Sequence, residues 1–114
     1  MTKKSYKAIN ATQAELGMAF MKESKDTLAA FMNLHHAVMT EGAVSVKNKE
    51  LIALGIAIAA RCDGCIAAHV KSALASEATR AEITETINVA IMMGGGPSVI
   101  YGTQAFAAME ELSA

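Results

Sequence analysis

The ten residues from Leu51 to Ala60 carry no polar side chain, and that run restricts the fold more than any other part of the chain. It is about half the roughly 20 residues that a helix needs to cross a membrane, so its apolar surface has to be buried in protein. Leu51, Ile52, Leu54, Ile56 and Ile58 fall around most of a helical circumference, the pattern of a segment packed on several sides. Ser45 stands where a cap is needed. The spacing therefore predicts a central core helix over about 46–60.

Other helices follow from capping and periodicity. Ala, Leu, Met, Glu and Lys dominate and there is a single proline, a mixture that favours helix over sheet. Thr12 with Glu15 has the capping-box spacing and predicts a first helix ending near Met21 or Lys22. Ser24 or Asp26 opens a second, with Leu28, Phe31, Met32, Leu34, Val38 and Met39, which stops near Glu41-Gly42. A fourth begins within the pair Cys62/Cys65 and runs to about Ala75 through Ile66, Ala67, Val70, Ala73 and Leu74. Thr79 and Glu82 form another capping box before Ile83, Ile87, Val89, Ala90, Ile91 and Met93, with a break at Gly94-Gly95-Gly96. Pro97 suits the first turn of a sixth helix whose apolar face is Ile100, Tyr101, Phe106 and Met109. The expected fold is all-α: one compact domain over 1–114 of about six helices, with a central antiparallel hairpin carrying the two cysteines.

Charge removes several function classes. Ten Lys and Arg against eleven Asp and Glu leave a formal charge of −1, no field with which to collect phosphates. Without Trp and with 4% aromatic residues, stacking platforms for single strands are lacking as well, so a nucleic-acid partner is not expected. Neither is a membrane span. Residues Met1 to Lys7 are basic but have no apolar run behind them, which argues against a secretory leader and for a cytoplasmic protein. The apolar share is 53% and the charged share 18%, more apolar surface than one protomer of this size hides, which predicts a homo-oligomer. Met18, Met21, Met32, Met39, Met92 and Met93 are expected to fill gaps in the core or in such interfaces.

The chemistry concentrates between Glu50 and His69. Cytosolic thiols are kept reduced, so Cys62-Asp63-Gly64-Cys65 points to a redox-active or metal-binding pair rather than a staple. Two cysteines three apart at a helix start can close a disulfide over one turn, where the amide groups favour a thiolate. His69 follows Cys65 by four residues and shares its helical face, within reach to act as a base. Glu50 precedes Cys62 by twelve residues, about 18 Å along one straight helix. An antiparallel reversal near 61–64 would bring it opposite His69 with a gap of roughly 7 to 8 Å, spanned by the two side chains with or without a water. Structural zinc remains an alternative, although Cys62, Cys65 and His69 leave it one ligand short; so does an inert thiol pair. His35 and His36 have no acidic or thiol neighbour in sequence and are placed outside the site. Gly94 to Gly96 follow a helix and no Lys-Ser/Thr comes after them, which argues against a nucleotide loop. No cofactor is called for.

These residues resemble the AhpD-like (alkylhydroperoxidase D) and carboxymuconolactone decarboxylase superfamily, whose signature is a Glu, then a CxxC and a His four residues on. The similarity covers about 45–106 and includes the Gly-Gly-Gly-Pro break. It implies a thiol-disulfide oxidoreductase that reduces hydroperoxides: Cys65 as the attacking thiolate, Cys62 as the resolving thiol, His69 as the base and Glu50 as its relay partner. It also implies a dithiol reductant, lipoyl or thioredoxin-like, and assembly into homotrimers or homohexamers like other small single-copy members. The well-known peroxidases of the family carry a His between the cysteines. Here Asp63-Gly64 puts a negative charge beside the thiols, which raises their pKa unless the Asp63 side chain caps the helix. A decarboxylase or lactone-processing enzyme, and a helical assembly module with an incidental CxxC, are the rival readings.

Overall fold

The computed structural model describes residues 4–114; Met1 to Lys3, on which part of the leader expectation rests, lie outside the described residues. Six helices follow one another: α1 (Tyr6–Met21), α2 (Lys25–Val38), α3 (Val46–Ala59), α4 (Asp63–Ala75), α5 (Arg80–Gly94) and α6 (Gly96–Ser113). Among the described residues there is no strand. None of the helices is long and apolar enough to cross a membrane.

The starts of α3 and α5 follow the local signals. Ser45 Oγ accepts the Asn48 amide, and Thr79 with Glu82 completes the capping box. Glu82 also accepts Lys47 Nζ at 2.8 Å, a bond that, ahead of the Thr79 amide, holds its carboxyl below the usual range and ties the first turns of α3 and α5 together.

α1 starts six residues before the predicted Thr12 cap. Ser5 Oγ accepts the Ala8 amide, and the Glu111 carboxylate, 105 positions away, accepts the Tyr6 amide and the Ser5 hydroxyl, each at 2.7 Å. A tertiary partner thus fills the role that the Thr12/Glu15 spacing was expected to fill locally. α2 likewise stops at Val38, short of Gly42. Lys49 Nζ donates to the carbonyls of Val38 and Thr40 at 2.9 and 2.7 Å, placing a cation at the negative end of the helix.

α3 is the central element, packed against α4, α5 and α6, while α4 also packs on α1 and α6. Leu51, Leu54, Ala57 and Ile58 meet Ile66, Val70, Ile83 and Met109 in the core. The expectation that α3 is packed on several sides is met by α4, α5 and α6, but Ile52 and Ile56, counted among its covered positions, are 55% and 64% exposed. Similarly, α6 buries Ser98, Gly102, Ala105, Ala108 and Met109, while Ile100 and Phe106 of the predicted face lie outside. Small residues let α6 approach closely: a Cβ on Gly102 would lie 2.9 Å from Ile87 Cγ2. α5 passes to α6 through Gly95 alone, at φ 71° and ψ −149°, a region open essentially to glycine.

α2 stands apart. None of its residues is buried, and its packing is a light contact with α1. The radius of gyration of 14.4 Å accordingly exceeds the ~13 Å of a compact chain of this length.

α3 and α4 both end in the same turn. Cys62 N–H donates to Ala57 O and Arg61 N–H to Ile58 O, as Ala78 N–H does to Ala73 O and Glu77 N–H to Leu74 O. This is the Schellman pattern, with Arg61 (φ 59°) and Glu77 (φ 66°) in the left-handed position where glycine is usual. Glu77→Gly should therefore raise stability by about 0.5 kcal/mol, the relief of left-handed strain less the added unfolded-state entropy, seen as a rise of a few degrees in the thermal midpoint.

Glu111 supplies a second check. The Ser5 hydroxyl, and then the Tyr6 amide, hold its carboxyl below the usual range. A depressed folded-state pKa gives stability that is present above the unfolded-state value and lost as pH falls through the folded one. Glu111→Gln should be less stable than the parent near about pH 7, and urea melts should show the difference closing towards about pH 3.

Candidate active site in the α3–α4 hairpin

The reversal between α3 and α4 places the four residues singled out from sequence on one hairpin. Cys62 is the N-cap of α4 and Cys65 lies in its first turn. Their sulfurs are joined as a disulfide, with the Cα atoms 5.2 Å apart. Cys65 is exposed and Cys62 half-buried. The Cys62 sulfur, not the Asp63 carboxylate, takes the capping role, accepting the Cys65 amide at 3.2 Å.

Four residues along α4, His69 Nδ1 meets Glu50 Oε1 of α3 at 2.8 Å. The contact is direct, without the wide gap that placing the bend at Cys62 implied. α3 ends at Ala59 and the turn takes up Ala60 to Cys62. Counted from the helix ends, Glu50 and His69 differ in depth by only about three residues, roughly 4.5 Å. Glu50 is buried and His69 keeps 22% of its side chain exposed. With the carboxylate ionised and the ring neutral, Glu50 can only accept, so this contact selects the tautomer with the proton on Nδ1 and leaves Nε2 as the basic nitrogen.

Asp63 has a different setting from that expected. Lys4 Nζ donates to its Oδ2 at 2.8 Å, and the Tyr6 hydroxyl lies 3.3 Å from its Oδ1. Gln104 Oε1 accepts from the Tyr6 hydroxyl at 3.0 Å and from Lys4 Nζ at 2.9 Å. Burial, and then the carboxylate of Asp63, raise the Tyr6 hydroxyl above its ordinary pKa, so it remains a donor. Lys4, Tyr6 and Gln104 carried no signal in sequence, being 59, 57 and 41 positions from Asp63. His35 and His36 meet edge to face on α2. Among the described residues, no group of three or more His, Cys, Asp and Glu is gathered to hold a metal ion.

The chain is thus an all-α protein with a cysteine pair at the turn end of a helix hairpin and a Glu–His pair one turn further in. The family model of the carboxymuconolactone decarboxylase family matches residues 25–111, and the chain belongs to this AhpD-like family. It is 36% identical over 87 residues to an uncharacterized protein of Cupriavidus necator, covering 76% of this chain and 77% of that one. It is also 36% identical over 83 residues to an uncharacterized protein of the cox locus of Paracoccus denitrificans, covering 73% and 75%. Among solved structures, a carboxymuconolactone decarboxylase family protein from Legionella pneumophila superposes with a TM-score of 0.93 at 38% identity, over 96% of this chain and 97% of that one. A Thermotoga maritima member, described with a suggested part in an antioxidative response, gives 0.82 at 30% identity over 93% and 90%.

The pairing of sulfurs has a direct check. Air-oxidised protein unfolded in guanidinium should present no titratable thiol, and two per chain after reduction; two before reduction would contradict the disulfide.

Proposed function

We propose that the chain is a hydroperoxide-reducing thiol-disulfide oxidoreductase working through Cys62 and Cys65. The observation that carries this reading is the 2.8 Å contact between Glu50 and His69, four residues from the exposed Cys65. It supplies a half-buried, oriented imidazole on the helix that carries the cysteine pair. With Nδ1 held by Glu50, Nε2 is the nitrogen free to take the Cys65 proton. Cys65 is assigned the attack because it is the more exposed residue of the two.

The Cys65 thiolate attacks the hydroxyl-bearing oxygen of the hydroperoxide and the O–O bond breaks. The departing alkoxide takes the proton from His69 and leaves as an alcohol, and Cys65 is left as a sulfenic acid. The Cys62 thiol then attacks the Cys65 sulfur, releasing water and closing the disulfide. An external dithiol, lipoyl or thioredoxin-like, returns two electrons and two protons. In that exchange Cys65 is the accessible sulfur, and Cys62 leaves as a thiolate that already accepts the Cys65 amide. Glu50 touches neither peroxide nor sulfur; it is a positioning residue for His69.

Cys65→Ser should abolish consumption of cumene hydroperoxide, while Cys62→Ser should still form a dimedone-reactive sulfenic acid and fail to close the disulfide. His69→Asn should lower kcat/KM by about a hundredfold. Equal residual turnover in the two cysteine variants would refute the assigned roles. Thiols untouched by peroxide would favour the assembly module.

We also propose that the active form is a homo-oligomer, a trimer or hexamer. Its support is the lightly packed α2, with Phe31 at 63% exposure beside Met32, Leu34 and Val38, and an open apolar groove of about 480 Å³ between α3 and α5 lined by Ile52, Ile56, Val89 and Met93. Exposed apolar area of this extent marks an association surface. Met18, Met92 and Met93 are exposed as well, so they serve such surfaces rather than the core. Light scattering should return three or six times 11.9 kDa; a monomer would refute the proposal.

A further inference from the structure

Asp63 is flanked by the two cysteines, and the chemistry above makes no use of it. A carboxylate this close disfavours thiolates. Yet two side chains from the start of the chain meet it, Lys4 and Tyr6, and Gln104 of α6 in turn accepts from both of them. Lys4 sets an ammonium on Oδ2 at 2.8 Å. The buried Tyr6 hydroxyl and the Gln104 side chain hold the pair in place, with the Tyr101 ring 5.8 Å from the ammonium. Since Lys4 and Asp63 keep 47% and 34% of their side chains exposed, the ion pair contributes little to stability. Its consequence falls on the neighbouring sulfurs.

We infer that Lys4 is a positioning residue for the dithiol: its ammonium cancels the Asp63 carboxylate beside Cys62 and Cys65, so that the N-terminal segment sets the balance between disulfide and thiolate. Tyr6 and Gln104 fix Lys4 and Asp63 in that arrangement. The inference rests on the redox reading of the two cysteines. Without Lys4 the carboxylate is uncancelled, the thiolates are less stable, and the reduced protein loses ground to the disulfide. Without Asp63 the ammonium is uncancelled and the shift has the opposite sign. Removing both restores the original balance.

The test is equilibration of the full chain with dithiothreitol. Each turnover moves two electrons and two protons from that dithiol to the Cys62–Cys65 disulfide, and dithiothreitol closes to its cyclic disulfide. At about pH 8, Lys4→Met should move the equilibrium constant towards the protein disulfide by about threefold to tenfold. Tenfold corresponds to about 30 mV for this two-electron couple. Asp63→Asn should move it the other way, the double variant should return to within about twofold of the parent, and Lys4→Arg should match the parent. The thiolate absorbance near about 240 nm should titrate at higher pH in Lys4→Met and at lower pH in Asp63→Asn. About 0.5 M KCl should shrink both effects. If the parent disulfide equilibrates but Lys4→Met and the parent coincide, the inference fails and the redox reading stands. If the parent does not exchange with dithiothreitol at all, the redox reading fails with it.

Discussion

A carboxylate buried to the depth of Glu50 has to be paired, and the hydrogen bond it receives from His69 is the contact on which the geometry of the site depends. Leaving such a group unpaired inside protein costs several kcal/mol, so sliding α4 along α3 by a turn is penalised even though the apolar contacts between them are mostly interchangeable Ala, Ile and Val. Register follows from that pair. Once Glu50 and His69 meet, the turn at Ala60 to Cys62 is the stretch left to close the hairpin, and the two sulfurs come to that turn. The same bond serves chemistry on the proposed reading, because it selects the tautomer that leaves Nε2 basic. One interaction thus specifies the packing and supplies the base.

The turn carries its own tension. Arg61 occupies a left-handed position that glycine would fill with less strain, and the first turn of α4 is capped by a sulfur, a poorer acceptor than the hydroxyl of Ser45 or Thr79 that caps α3 and α5. Part of the deficit is made up by Asp63, whose negative charge at the first position of α4 suits the helix dipole. That same charge works against a thiolate next door. On the proposed reading, the ion pair with Lys4 leaves the carboxylate where the helix favours it and reduces its effect on the sulfurs.

How much of this could be read from sequence depended on how far the deciding contact lies along the chain. Ser45, Thr79 and Glu82 act within four residues, and the starts of α3 and α5 were legible. The start of α1 was not, because Glu111 accepts the Tyr6 amide across 105 positions and outweighs the local Thr12/Glu15 pattern. Glu50, Cys62, Cys65 and His69 were legible as a group because a hairpin converts their spacing into proximity. The closeness of Glu50 to His69 was understated by treating Cys62 as the bend, when the Schellman turn places the reversal earlier. Hydropathy identified α3 as a segment packed on several sides, but periodicity does not say which of its faces the other helices reach, and Ile52 and Ile56 were misplaced for that reason. On α6 the large side chains drew attention while the contact was made by Gly102, Ala105 and Ala108, whose value lies in the room they leave for Ile87.

The family name denotes a decarboxylase, and the scaffold alone does not decide between that chemistry and a redox one. What this chain adds to the scaffold is a dithiol at the rim of a buried acid–base pair. A glutamate and an imidazole held together by the α3–α4 register can move protons for many reactions, but two sulfurs within bonding distance at the exposed end of the same hairpin can take up or release two electrons as well. On the proposed reading the exposed Cys65 meets the substrate, the half-buried Cys62 is in place to close the ring, and the imidazole lies one turn along the helix that carries both. The steps of a thiol peroxidase therefore require no movement of the core, only the making and breaking of one bond at the end of a hairpin whose register is already fixed from within.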